Sequence, residues 1–234
     1  MQIVEQTGFG LRSAVMTLAA KDSDIRFQLF PMIHLGSPAF YQHVHKQLML
    51  CDVVVVEGVQ GRRAALMTLS YRIAGRVRRE ALVDQGRGLV LSDLPGQIVR
   101  PDLSAKEFGH GWAGVPLWVR LLIYAAAPFV GLWMIVVGPK RFLRRGPMNL
   151  DDLPTREEQE RADQSEAFDA ALLDARDVRL CQTLLDLSDG RGAPQLVGVC
   201  WGAGHMRAVL RTLMTQRGYR VQQSTWLTVV NFID

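Results

Sequence analysis

Asp52-Val53-Val54-Val55-Val56-Glu57 decides how the chain is read. Four β-branched residues in a row, with no polar position between them, make a strand buried on both faces, which is the pattern of a parallel sheet covered by helices. Immediately upstream, Ser37-Pro38 supplies a helix N-cap and a first helical position, and Phe40, Val44, Leu48 and Cys51 recur at helical spacing. Further upstream, residues 11–20 and 25–33 are apolar runs separated by Lys21-Asp22-Ser23-Asp24, a polar break that predicts a hairpin of two strands. Strand, helix, strand over 25–57 is a βαβ unit. The chain is therefore expected to be α/β, with a mostly parallel central sheet and flanking helices.

Downstream, residues 61–80 set Arg62, Arg63, Arg72, Arg76, Arg78 and Arg79 between apolar positions, a basic amphipathic helix whose plain reading is a solvated face. A short strand over 81–83 and another over 97–101 are expected, with Asp102 at the end of the latter and the capping-box pattern Ser104-Ala105-Lys106-Glu107 opening a helix. From 115 to 138, 19 of 24 residues are hydrophobic and Arg120 is the one charge. Lys140, Arg141, Arg144 and Arg145 follow, and then 151–177 carries ten acidic residues against Arg156, Arg161 and Arg176. That acidic stretch reads as a helix running on through Leu180, Leu184 and Leu187. A second buried-type strand over 195–201 ends in Gly202-Ala203-Gly204-His205, before a helix to 216 and a last strand over 219–230. One domain, 1–234, accounts for the length, with 111–146 as an apolar helical insert bearing a basic flank.

The composition sharpens the same division. Of the 234 residues 48% are hydrophobic, and without the 115–138 segment the share falls to about 44%, close to that of an ordinary soluble domain. Twenty-seven basic against 23 acidic residues give +4, too mild a bias for a nucleic-acid footprint, so no nucleic-acid partner is expected. Three cysteines, odd in number and without a CxxC pair, argue against a disulfide framework or a zinc ribbon and fit a reducing compartment. The first 30 residues hold Glu5, Lys21, Asp22, Asp24 and Arg26 and no long apolar run, so no secretory signal is expected and the location expected is cytoplasmic, peripheral at the inner face of a membrane where the insert engages one.

Residues 121–138 are uncharged and long enough to nominate a membrane-spanning helix. A single crossing would part His34 and Glu57 from His205, and two crossings do not fit in 24 residues. Pro128 and Gly131 predict a bent pair of short helices instead. Three roles stay open: a hairpin dipping into one leaflet of a membrane, a homodimer contact, or a lid over the site. The basic cluster from Lys140 to Arg145 suits an anionic membrane surface.

Three polar residues fall at the carboxyl ends of buried strands: His34, Glu57 and His205. Ligands bind at this edge of open α/β sheets, and Gly36, Gly58, Gly202 and Gly204 stand close by. Two imidazoles and a carboxylate make a ligand set for zinc, manganese, cobalt or iron, which would activate a bound water for hydrolysis, with Glu57 as ligand or as general base. The competing dinucleotide reading of Gly202-Ala203-Gly204 fails because Arg207 takes the third glycine position and Gln222 the place of the ribose-binding acid. His43 and His45 point to different sides of their helix, His110 lacks a recognisable partner, and Cys200 reads as a buried inert thiol.

Phe30-Pro31-Met32-Ile33-His34-Leu35-Gly36, Cys51 to Gly58 with Glu57 inside it, and Gly202-Ala203-Gly204-His205-Met206-Arg207 together resemble the TraB/PrgY/GumN/TIKI family, grouped with erythromycin esterase and ChaN-like proteins. The resemblance spans 27–102 and 175–228, everything but the apolar insert among the central elements. It implies an α/β sheet and, for members of the TIKI type, metal-dependent peptide hydrolysis with a divalent ion such as Zn, Mn or Co. His34, Glu57 and His205 fall on the family's signature positions. Arg176, in Ala175-Arg176-Asp177, looks like the family's arginine-acid motif, where a guanidinium binds a substrate carboxylate or an oxyanion. Asp102 resembles a weaker strand-end aspartate of the family. Pro31 departs from the pattern, which has glycine there, and proline predicts an edge or bulged position. The expected function is hydrolysis of a peptide or related amide or ester. The alternatives are a non-catalytic membrane-associated protein that sequesters a peptide signal or haem-like ligand in the same pocket, and a membrane-surface adaptor on a relic scaffold.

Overall fold

A computed structural model of the chain describes residues 1–58, 69–74, 82–146, 148–154, 173–190 and 195–233. In chain order the strands are β1 (Gln2–Gln6), β2 (Gly10–Ala19), β3 (Ile25–Met32), β4 (Leu35–Gly36), β5 (Val53–Val56), β6 (Val83–Asp84), β7 (Gln97–Val99), β8 (Leu150–Asp151), β9 (Gln195–Gly202) and β10 (Arg220–Asn231). The helices are α1 (Pro38–Leu48), α2 (Leu69–Ala74), α3 (Gln85–Gly88), α4 (Ala105–Gly114), α5 (Leu117–Val137), α6 (Pro139–Arg145), α7 (Ala175–Ser188) and α8 (Met206–Gln216), with a 3-10 turn over Ala203–His205 between β9 and α8.

The fold is α/β, as the valine run implies. β7, β5, β9 and β3 lie side by side and all parallel, with Val54 opposite Gly198 and Phe30 opposite Cys200. The strands of this parallel half are joined by helices rather than tight turns, and its central residues, Val54, Val55, Val197, Val199, Phe27 and Leu29, are fully buried. Beyond β3 the sheet turns antiparallel. β10 runs along one edge of β2 for its whole length, while the other edge of β2 is shared, Met16–Ala19 pairing with β3 and Leu11–Ser13 with β1, which carries β8 beyond it.

The helix after β3 starts where its cap lies: the Ser37 hydroxyl accepts from the Phe40 N–H at 3.2 Å, Pro38 sits in the first turn, and Phe40, Tyr41, Val44 and Leu48 face the sheet. Gly198 lets this helix come close, since a Cβ there would stand 2.8 Å from Cys51 Sγ and 2.9 Å from Leu48 Cδ2. Pro31 lies inside β3, in register with Trp201. Its carbonyl accepts from the Ser13 hydroxyl at 2.6 Å, so the carbonyl faces β2, and the N–H that proline lacks would face the same way. β2 has left β3 by then, the last pair being Met16 with Leu29, and the ladder to β9 loses no donor.

Three sequence expectations need correction or narrowing. The insert is not a bent pair of helices broken at Pro128. α5 runs unbroken through Pro128 for 21 residues, and the chain turns earlier, at Val115-Pro116, where Trp112 and Val115 at the end of α4 pack on Val119, Ile123 and Tyr124 of α5. The start of the acidic stretch is not helical: Leu150–Asp151 is a strand on β1, and its carbonyl at Asp151 accepts from Arg207 Nε at 2.5 Å. Of the basic 61–80 helix, Leu69–Ala74 is helical and the arginines at 62, 63, 76, 78 and 79 lie outside the described residues, as do 155–172 of the acidic stretch.

Candidate active site at the carboxyl ends of the parallel strands

Because β7, β5, β9 and β3 are parallel, they end at one edge, and each hands over a polar residue there: Asp102 beyond β7, Glu57 directly after β5, His205 in the turn after β9, and His34 between β3 and β4. Arg176, in the first turn of α7, ties three of them together. Its Nη2 donates to Glu57 Oε1 at 2.7 Å and to Asp102 Oδ2 at 2.7 Å, its Nε donates to Asp102 Oδ1 at 2.9 Å, and its Nη1 faces His205 Nε2 at 3.4 Å. The guanidinium carbon also lies 5.8 Å from the centre of the Trp201 ring.

Backbone donors hold the carboxylates from the sheet side. The Gly202 N–H donates to Glu57 Oε2 at 2.6 Å, and the Gly58 and Leu103 N–H groups donate to Asp102 at 2.9 and 2.8 Å. Gly202 is needed for this approach, since a Cβ there would stand 3.0 Å from Glu57 Oε2, whereas a Cβ at Gly204 would meet open space. His205 is 4% exposed, and its Nδ1 lies 2.6 Å from Asp177 Oδ1. Asp177 follows Arg176 in the first turn of α7, where the helix dipole favours its charge. His34 Nδ1 lies 3.2 Å from Gln85 Oε1 on α3, and His34 is close enough for its charge to act on Glu57.

The electrostatics follow from burial set against pairing. Burial pushes the Glu57 carboxyl up, but Arg176, His34 and His205, together with the hydrogen bond from Arg176, outweigh it and hold the group below the usual carboxylate range. Asp102 behaves alike: burial raises it, and the hydrogen bond and charge of Arg176 with the two backbone donors bring it below its ordinary value. Burial pulls Arg176 down, and its bonds and proximity to Asp102 and Glu57 raise it above its ordinary value, so the ion triad stays charged. The Cys200 thiol, buried in β9, is pushed up by its burial and is no nucleophile.

Glu57, Asp102, Arg176, Gly202 and His205, expected from the sequence, thus share one cluster, with His34 beside it. Asp177 as the partner of His205, and Gln85 as the partner of His34, were not anticipated. The signal for Asp177 was its place next to Arg176 at a helix start. His45 instead meets Asp93 at 3.0 Å on the surface, and His110 is exposed.

Whether this set fits a divalent ion depends on Arg176. Among the described residues no three His, Cys, Asp or Glu side chains are grouped to hold a metal. Both Glu57 oxygens already take N–H donors, and the position an ion would need on His205 Nε2 is beside a fixed guanidinium. The donors do not fit a divalent cation while Arg176 keeps this place. Comparison with protein-family models, with curated proteins and with solved structures gives no match to the chain.

Proposed function

We propose that the chain is a hydrolase of the TraB type, acting on a peptide or a related amide or ester at the cluster of Glu57, Arg176 and His205. The observation that carries this reading is the Asp177–His205 pair at 2.6 Å with a guanidinium 3.4 Å from the other ring nitrogen. Asp177 accepts from Nδ1–H, which leaves the lone pair on Nε2; Arg176 Nη1 faces that lone pair at 3.4 Å and gives way to the attacking water when His205 acts as general base. In the proposed reaction His205 Nε2 takes a proton from water as the water oxygen bonds the substrate carbonyl carbon. Arg176 Nη1–H, on the end of the guanidinium that Glu57 and Asp102 leave open, binds the oxygen that becomes negative, Asp177 stabilises the imidazolium, and the proton passes to the amine or alcohol as its bond to the carbonyl carbon breaks. Glu57 and Asp102 hold the guanidinium in place. The three free, buried cysteines agree with a cytoplasmic site.

A metal-dependent form of the same reading has one supporting feature: His205 and His34 are each held at Nδ1 by an outer partner, as metal-ligating imidazoles are. An ion of zinc, manganese or cobalt there would supply an activated water, and Arg176 would have to leave His205.

Purified full chain assayed on a peptide and ester panel, with and without chelator, tests this. Chelator-resistant hydrolysis abolished in His205→Ala and strongly reduced in Asp177→Asn supports the proposed reaction. Stoichiometric metal, lost with activity in His34→Ala and His205→Ala, supports the metal-dependent form. A folded protein inactive on the whole panel, with a peptide or haem-like ligand bound at this edge, would replace both with a binding role.

A further inference from the structure

We propose that α5 and the basic helix after it form a docking surface for an anionic lipid leaflet, with α5 lying in the plane of the membrane. Trp118, Leu122, Phe129, Leu132, Trp133 and Val136 of α5 are all exposed and follow one another at helical spacing, so they make one apolar stripe along the helix. The opposite side is spoken for: Ala127, Gly131 and Met134 are buried, a Cβ at Gly131 would stand 3.1 Å from Ile73 on α2, and Met134 belongs to the main core. A stripe of this length is far beyond the scattered apolar residues of an ordinary surface. α5 has a mean hydropathy of 1.9 over its most apolar 18 residues, with 11% of that window buried.

Charge selects the occupant. From 108 to 150 there is no acidic residue, while Arg120, Lys140, Arg141, Arg144 and Arg145 are basic. Arg141, Arg144 and Arg145 are exposed on α6, directly after the stripe. A second copy meeting this face would bring no opposite charge to these cations from the same segment, whereas an anionic headgroup does. Arg144 and Arg145 also line an open cavity of about 420 Å³ with Gln6, Thr7, Gly8 and Asn149, roomy enough for a phosphate headgroup.

The anchoring of both ends sets the orientation. α5 is about 31 Å long at 1.5 Å per residue, close to a bilayer core. Yet the start of α4 is tied to α7 by the Arg179–Glu107 ion pair, and α6 is tied to β1, where Gln6 Nε2 donates to the carbonyls of Leu143 and Arg144 at 3.2 and 2.8 Å. The segments on both sides of α5 are thus tied to one domain, so α5 enters one leaflet sideways.

Flotation of the purified full chain with vesicles of phosphatidylcholine, alone or with phosphatidylglycerol, tests this independently of the catalytic reading. Binding is expected on the anionic vesicles. It should fall on the order of 30-fold in Arg144→Gln/Arg145→Gln and be lost in Phe129→Glu/Leu132→Glu. Brominated lipid should quench tryptophan fluorescence, and Trp118→Phe/Trp133→Phe should lose that quenching. Circular dichroism melts show whether each variant stays folded, and the arginine pair, exposed and outside the stripe, decides the matter should the glutamate pair unfold. Absence of vesicle binding, binding indifferent to both variant pairs, or a solution dimer by light scattering that Phe129→Glu/Leu132→Glu splits would each overturn the proposal. So would protease protection, in sealed vesicles, of the chain on one side of α5 only, which would mean a crossing.

Discussion

At the residue scale everything at the strand edge depends on one cation. Glu57 and Asp102 are ionised in a buried setting because Arg176, whose side chain is 11% exposed, bonds both. Removing one partner of such a group leaves the others charged and uncompensated, and Arg176→Ala should cost roughly 3–5 kcal/mol at neutral pH in urea titrations. The pH dependence should change sign with it. In the wild-type chain both carboxyls are depressed, so their stabilisation is present above the unfolded carboxylate range and is lost as pH falls through the lower folded values. Without Arg176, burial would dominate and raise them. The folded state would then bind protons more readily than the unfolded one, and the variant should gain stability as pH falls from about 7 to 5. A variant with the wild-type slope would show that the carboxyls are held by something else. Gly202 tests the same centre with a smaller change. Its φ of −51° suits any residue, so Gly202→Ala brings no backbone strain, only a Cβ 3.0 Å from Glu57 Oε2. The expected result is a loss of about 1 kcal/mol in a thermal melt, with a far larger loss of hydrolysis as Glu57 and Arg176 shift together.

Among the elements, those that carry their own signals were legible. The valine run, the Ser37-Pro38 cap and the Ser104–Glu107 capping box each gave a strand or helix start where the structure has one, and the strand-end positions of His34, Glu57, Asp102 and His205 followed from parallel packing alone. β1 was not legible, because Gln2, Glu5 and Gln6 are polar and its place comes from pairing with Leu11–Ser13 of β2. The turn of the insert was misplaced for a related reason. Pro128 would break an isolated helix, but it sits on the exposed side of α5 while Ala127, Gly131 and Met134 dock on α2 and the core, and tertiary contact carries the helix across it. The Asp177 contact to His205 joins residues 28 positions apart, which no local spacing reports. This two-sided helix makes a direct prediction. Met134→Ala, at 2% exposure, should lower stability by about 2–5 kcal/mol. Leu122→Gln on the stripe should change it by less than about 0.5 kcal/mol. Equal costs at the two positions would mean that the stripe is covered within the folded chain.

For the whole molecule, the division that counts is between the sheet and the α4–α5 segment rather than between two domains. β9 is the centre: it pairs with β3 on one side and β5 on the other, and Val197, Val199 and Trp201 are completely buried. The site is built on the ends of these strands, so its geometry inherits their rigidity. Arg176 comes from α7, whose Leu180 and Leu184 are fully buried in the same core. The outer part of the α4–α5 segment has a small core of its own, Trp112 and Val115 against Val119, Ile123 and Tyr124, separate from the main one, to which Met134 belongs. A cluster that small stabilises little by itself, so α4 and the first half of α5 should open without unfolding the sheet. Hydrogen exchange at neutral pH would measure this. Amides of β3, β5 and β9 should exchange at the rate of global unfolding, and those of residues 105–125 markedly faster in the free protein. Anionic vesicles should slow the second group directly, because lipid would cover the stripe, while the strands gain only the global stabilisation that binding to the folded chain brings. If residues 105–125 instead exchanged as slowly as β9 in the absence of lipid, this segment would be part of the cooperative core. The apolar stripe would then be the outer face of a rigid body, and membrane docking would have no local opening to suppress.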